Sequence, residues 1–137
     1  MRDMVNHVRT EVLIEPQTLS GQKTSAQLDT NGAGRLMLLI VTGAIVSDGS
    51  FNITVQESDT TTAGDFTEVA PEQLLGGNGM LWGEDGGSTV LAANTAYRIG
   101  YTGWKRYLRV IVNKSTGTSI VLGLVAVLGD LADRPAA

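Results

Sequence analysis

The sequence predicts an all-β protein: one antiparallel β-sandwich or barrel, jelly-roll-like, with at most one short helical turn. Three observations carry that expectation. Apolar and polar residues alternate with a period of two in several segments, the pattern of strands with one face in a core. Turn signals recur roughly every 8–12 residues, and no helical periodicity of useful length interrupts them. Glycine is common, with 17 copies, while only 18% of residues are charged. That mix suits short strands and many turns rather than long solvated helices.

Taken in order, residues 1–7 read as a polar arm. Val8, Thr10, Val12 and Ile14 alternate with Arg9, Glu11 and Glu15, which predicts a half-buried strand ending at Pro16. The following stretch to Gly34 is rich in Thr, Gly, Gln and Asn, with a short strand around Ser25–Asp29 and a turn at Asn31-Gly32. Arg35–Val46 is apolar on both parities, so it is either a central strand covered on both faces or a strand whose outward face meets a partner. Asp48-Gly49 marks a turn. Phe51, Ile53 and Val55 then alternate with Asn52, Thr54 and Gln56 in the cleanest strand of the chain. A polar loop at Ser58–Gly64 and a short strand at Phe66–Val69 follow. Pro71–Leu75 is compatible with a single helical turn, Pro standing at its first position.

Gly76–Ser88 holds six glycines in thirteen residues and reads as a long loop. Met80, Leu81 and Trp82 at its centre either reach for a partner or fold back as a lid. Tyr97–Asn113 carries all three tyrosines, one of the two tryptophans and four of the ten basic residues. It reads as a hairpin: Tyr97, Ile99 and Tyr101 in one strand, a turn at Thr102-Gly103, and Leu108, Val110 and Val112 in the next. After a turn at Lys114–Thr118, Ser119–Leu128 is again apolar on both parities, with Gly123 marking a bulge or a close backbone approach. The expected organisation is an arm at 1–7, a sandwich domain at 8–129 and an extended tail at 130–137.

At 137 residues the chain is long enough to bury a core without staples, and it has no cysteine. Disulfides, thiolate metal sites and cysteine nucleophiles are therefore excluded. The apolar runs fall well short of the ~20 residues of a membrane helix, and no membrane partner is expected. The single histidine, His7, lies in the arm, a poor place to fix a catalytic base. Neither Glu57/Asp59 nor Glu84-Asp85 offers the oxygen density that calcium requires, and zinc lacks ligands. The glycines form no phosphate cradle. No enzyme activity, cofactor or metal is expected. Lys105, Arg106 and Arg109, with Arg98 opposite, form a basic cluster beside Trp104 and Tyr107. The net charge of -4 makes nucleic acid an improbable partner; an acidic protein surface, or pairing with the chain's own loop carboxylates, suits the cluster better.

The segment Tyr97–Val110 (YRIGYTGWKRYLRV) resembles small structural proteins of tailed bacteriophages and prophages. So do Asp48-Gly49-Ser50-Phe51, Val55–Asp59, Gly64-Asp65-Phe66 and the closing Ala126–Gly129, which together span Asp48 to Gly129. The resemblance implies a virion component made in the host bacterial cytoplasm, in the first instance a capsid decoration (cement) protein on the capsid surface. Implied partners are the major capsid protein and the chain itself as a homo-oligomer, with a trimer favoured. A head–tail joining, tail-terminator or tail-tube protein is the alternative role. A carbohydrate-binding sandwich using Trp82, Trp104 and Tyr101 is a further one. Such proteins act by surface fit, and the candidate contact residues are Val8, Val12, Leu39, Val41, Met80, Leu81, Trp82, Trp104, Lys105, Arg106, Arg109, Val121 and Val125.

Overall fold

The computed structural model describes residues 3–31, 33–70, 73–76 and 90–129. Ten strands are present among them: β1 (Arg9–Leu19), β2 (Lys23–Thr24), β3 (Leu28–Asp29), β4 (Arg35–Val46), β5 (Ser50–Ser58), β6 (Thr67–Glu68), β7 (Leu74–Gly76), β8 (Ala96–Tyr101), β9 (Tyr107–Thr116) and β10 (Ser119–Gly129). They form two sheets. The first has the order β1-β10-β4-β8-β7; the second has β2-β9-β5-β6, with β3 also on β9. All pairings are antiparallel. This is the jelly-roll order, two interlocked Greek keys, with the short β7 added at one edge. The sheets remain separate, so the architecture is a sandwich and not a closed barrel. Helical structure among the described residues is limited to short 3-10 turns such as Val5–His7 and Ala63–Asp65.

The core lies between the sheets and follows the period-two pattern. Leu36, Leu38 and Ile40 of β4 and Leu122, Leu124, Ala126 and Leu128 of β10 point inward from the first sheet. Phe51, Ile53 and Val55 of β5 and Leu108, Val110 and Val112 of β9 meet them from the second. The alternation in β5 and β9 is therefore the one the sequence predicts, while in β4 and β10, apolar on both parities, the structure selects which parity faces inward.

Four expectations are corrected. β8 and β9 are not a hairpin: β8 pairs with β4 and β7 in the first sheet, while β9 pairs with β5 in the second. The five residues between them cross the sandwich, and Gly103 lies so close under the Tyr101 ring that a side chain there would collide with it. Second, β1 does not stop at Pro16 but runs on to Leu19. Proline removes one backbone donor, which an edge strand at a bulge tolerates, and β1 is an edge strand with register breaks on either side of Ile14. Those breaks also put Val12, paired with the outward Val125, on the opposite face from buried Ile14. Third, the strand expected at Ser25–Asp29 is only Leu28–Asp29 (β3), and a separate strand, β2, precedes it at Lys23–Thr24; both pair with β9. Fourth, Leu74 and Leu75, expected in a helical turn, belong to β7; Pro71 and Glu72 lie outside the described residues.

Candidate interaction surface

An antiparallel sheet in a two-layer sandwich normally turns its polar side chains to water. The second sheet is mainly polar outside, although Thr54 is buried beneath its neighbours. On its outer face Asn52, Thr54 and Gln56 of β5 stand beside Asn113, Ile111 and Arg109 of β9. Asn113 Nδ2 donates to Thr54 Oγ1 at 2.9 Å, and Arg109 Nε donates to Gln56 Oε1 at 2.7 Å. The Arg109 guanidinium also covers the Phe66 ring at 4.4 Å.

The first sheet does not obey. Its pairing aligns Val12, Val125, Leu39 and Arg98 in one row across β1, β10, β4 and β8. The next row is Thr10, Val127, Met37, Gly100 and Leu75. A third is Gly123, Val41 and Ala96, with Pro16 packed on Gly123. Val12 is 57% exposed, Val41 50% and Leu75 59%. Arg98 is the single charge in these rows. Two outward positions on β4 and β10, Gly43 and Gly123, carry no side chain. They form a dimple of about 190 Å³ rimmed by Pro16, Val41 and Val121. At the far end the 3-10 turn of the arm stands over a cleft of about 650 Å³ where Met4, Val8, Met37 and Val127 are joined by Asp3, His7 and Arg35.

Six of the sequence-predicted contact residues thus lie on or beside one surface: Val8, Val12, Leu39, Val41, Val121 and Val125. Met37, Val127 and Leu75 share it and were missed, although the first two have the same parity as Leu39 and Val125. Met80, Leu81 and Trp82 lie outside the described residues.

The basic cluster does not assemble. Arg98 is on the outer face of the first sheet, while Arg109 is on the outer face of the second. Lys105 Nζ is paired with Asp59 at 2.7 Å, and Arg106 grips Asp29 with Nε at 2.9 Å and Nη2 at 3.0 Å. These bonds raise the pKa of Lys105 and of Arg106 and lower that of Asp29. Lys105 and Arg106 are therefore committed to carboxylates within the chain, one of the two readings the sequence left open.

Trp104, in the β8–β9 crossing, is 82% exposed. Its segment is held at one end by the Thr102 N–H donating to the Gln73 carbonyl at 2.8 Å, and at the other by two bonds. Tyr101 Oη accepts from the Lys105 N–H at 3.1 Å, and the Thr30 Oγ1 hydroxyl donates to the Arg106 carbonyl at 2.8 Å. Tyr101 also donates to Glu57 Oε2 at 2.5 Å, tying the first sheet to the second. Burial, and then this bond, hold the Tyr101 phenol well above the ordinary tyrosine range. Tyr101, its ring largely in the core, lines with Trp104 a small cleft of about 130 Å³. Among the described residues no three His, Asp or Glu side chains cluster as a metal site.

No family model matches the chain, and no curated protein sequence does. Solved structures do. The SPBc2 prophage-derived protein YomS is 12% identical over 93% of this chain and 98% of its own, with a TM-score of 0.56. PirA, at 15% identity over 94% and 98% of the two chains, has a TM-score of 0.42. The VP2 subviral particle of infectious bursal disease virus, at 15% identity, covers 91% of this chain and 32% of that one, with a TM-score of 0.47. At such identities the likeness to YomS is one of fold, and the other two are looser still.

Proposed function

We propose that this chain is a structural protein of a tailed-phage or prophage virion, a capsid decoration protein that binds the outside of the major capsid lattice and stabilises the head. It is made in the host cytoplasm and acts as a homo-oligomer with no chemical step. The observation that carries this reading is the outward face of the β1-β10-β4-β8 sheet, where valine, leucine and methionine stand in positions that a solvated sheet gives to polar residues. The sequence resemblance to phage structural proteins supports the virion setting, and the prophage origin of YomS agrees with it. Weak individual contacts suffice for such a protein, because many copies on a preassembled lattice hold by avidity.

Adding the purified protein to shells that lack it tests the proposal. Retention on the shells after washing, together with greater resistance of the head to heat, is expected; free protein and unchanged shells would refute it. Copy number separates the alternative role. Hundreds of copies per virion fit decoration, whereas about a dozen or fewer fit a head–tail joint or tail terminator, where closed rings form.

A further inference from the structure

We infer that the outer face of the β1-β10-β4-β8 sheet is the homo-oligomer core, covered by a second copy of this chain and turned toward the symmetry axis, while the opposite sheet stays in solvent. The inference rests on the reading of the chain as a contact protein and assigns the self-contact to one surface.

The first argument is area. Four strands at about 4.8 Å spacing, each up to roughly eleven residues long at about 3.4 Å per residue, present a face on the order of 700 Å². A standard specific interface takes about 800 Å² from each partner. Composition is the second argument. Cores of homo-oligomer interfaces are depleted of charge and enriched in apolar side chains. The rows through Val125 and Leu39 contain one charge, Arg98, toward the β8 side. The second sheet, built by the same chain with the same alternation, is polar outside. The difference between the two faces therefore belongs to what each one meets, and not to a general shortage of polar residues.

Relief supplies the third argument. The dimple at Gly43 and Gly123 is a socket beside the exposed Val12 and Val41, and packing a neighbour's side chain into it would match interior density.

Val12→Lys combined with Val41→Lys tests this on the full chain without shells. Both side chains are at least half exposed in the single chain, so the fold should tolerate the change, and far-UV circular dichroism checks that it does. Light scattering across a dilution series reads the mass. The wild type should be a dimer or trimer, and the variant should dissociate at a concentration about 100-fold higher or more, since each buried charge lacks a partner. Val125→Asp, read the same way, is a second probe at the centre of the face. A wild type that is a single protomer up to millimolar concentration would overturn the inference, because the face would then be covered within the chain. An oligomer unmoved by either change would overturn it as well. A wild-type oligomer that shells do not retain would count against decoration alone.

Discussion

Tyr101 shows how one side chain can tie two sheets together. Its hydroxyl donates across the sandwich to Glu57 and accepts from the Lys105 backbone, while Gly103 leaves room for the ring. Tyr101→Phe should destabilise the protein by about 1–3 kcal/mol, the usual cost of leaving partners of a buried hydrogen bond unsatisfied; denaturant unfolding measures it. The phenol's pKa is raised in the folded state above its ordinary 10.0. The stabilisation is therefore complete below pH 10.0 and lost as pH rises, because the unfolded chain releases the proton first. Stability against alkaline pH should fall less steeply in Tyr101→Phe than in the wild type. Nothing in the spacing of Tyr101, Gly103 and Glu57 identifies this lock, because Glu57 is 44 residues away. At the same scale, the alternation of Leu108, Val110 and Val112 was fully legible, since period two fixes which side chains share a face.

Among the elements, β4 and β10 are the pair on which the candidate surface depends. They are adjacent through ten paired positions, and each puts one apolar parity into the core and the other outside. Their turns meet at one end. Gly117 has φ +84°, and a side chain there would lie 2.6 Å from the Gly49 nitrogen. Ser47 and Asp48, also at positive φ, form the facing turn. Gly117→Ala should cost about 1–3 kcal/mol, read from the shift in unfolding midpoint, with oligomer mass unchanged in the folded fraction. The sequence marked both strands and both turns because their hydrophobic runs are long and bounded by turn residues. β2 was missed, β3 was drawn too long and β7 was assigned to a helical turn, because elements of two or three residues carry too little pattern. Only their partners β9 and β8 hold them in place.

For the whole molecule, a second copy that binds only the folded chain must raise the apparent stability by mass action. The wild-type Tm should climb with protein concentration, whereas that of Val12→Lys/Val41→Lys should not; scanning calorimetry at two or three concentrations decides the matter. The arrangement also explains why the basic residues between Arg98 and Arg109 gave a false impression of a cluster. Neighbours in sequence at Tyr97–Asn113 diverge into different sheets, so Arg98 and Arg109 point away from the sandwich on opposite sides.

The sequence by itself determined the all-β class, the inward stripes of β5 and β9 and the surplus of apolar side chains on β4 and β10, because these follow from local alternation and composition. Only the tertiary structure decided that β8 and β9 part company and that β10 lies between β1 and β4. It likewise aligned Val12, Val125 and Leu39 in one outward row. Strand partners are chosen by contacts between residues far apart in the chain, and a period-two pattern records which way a side chain points without recording what lies beside it.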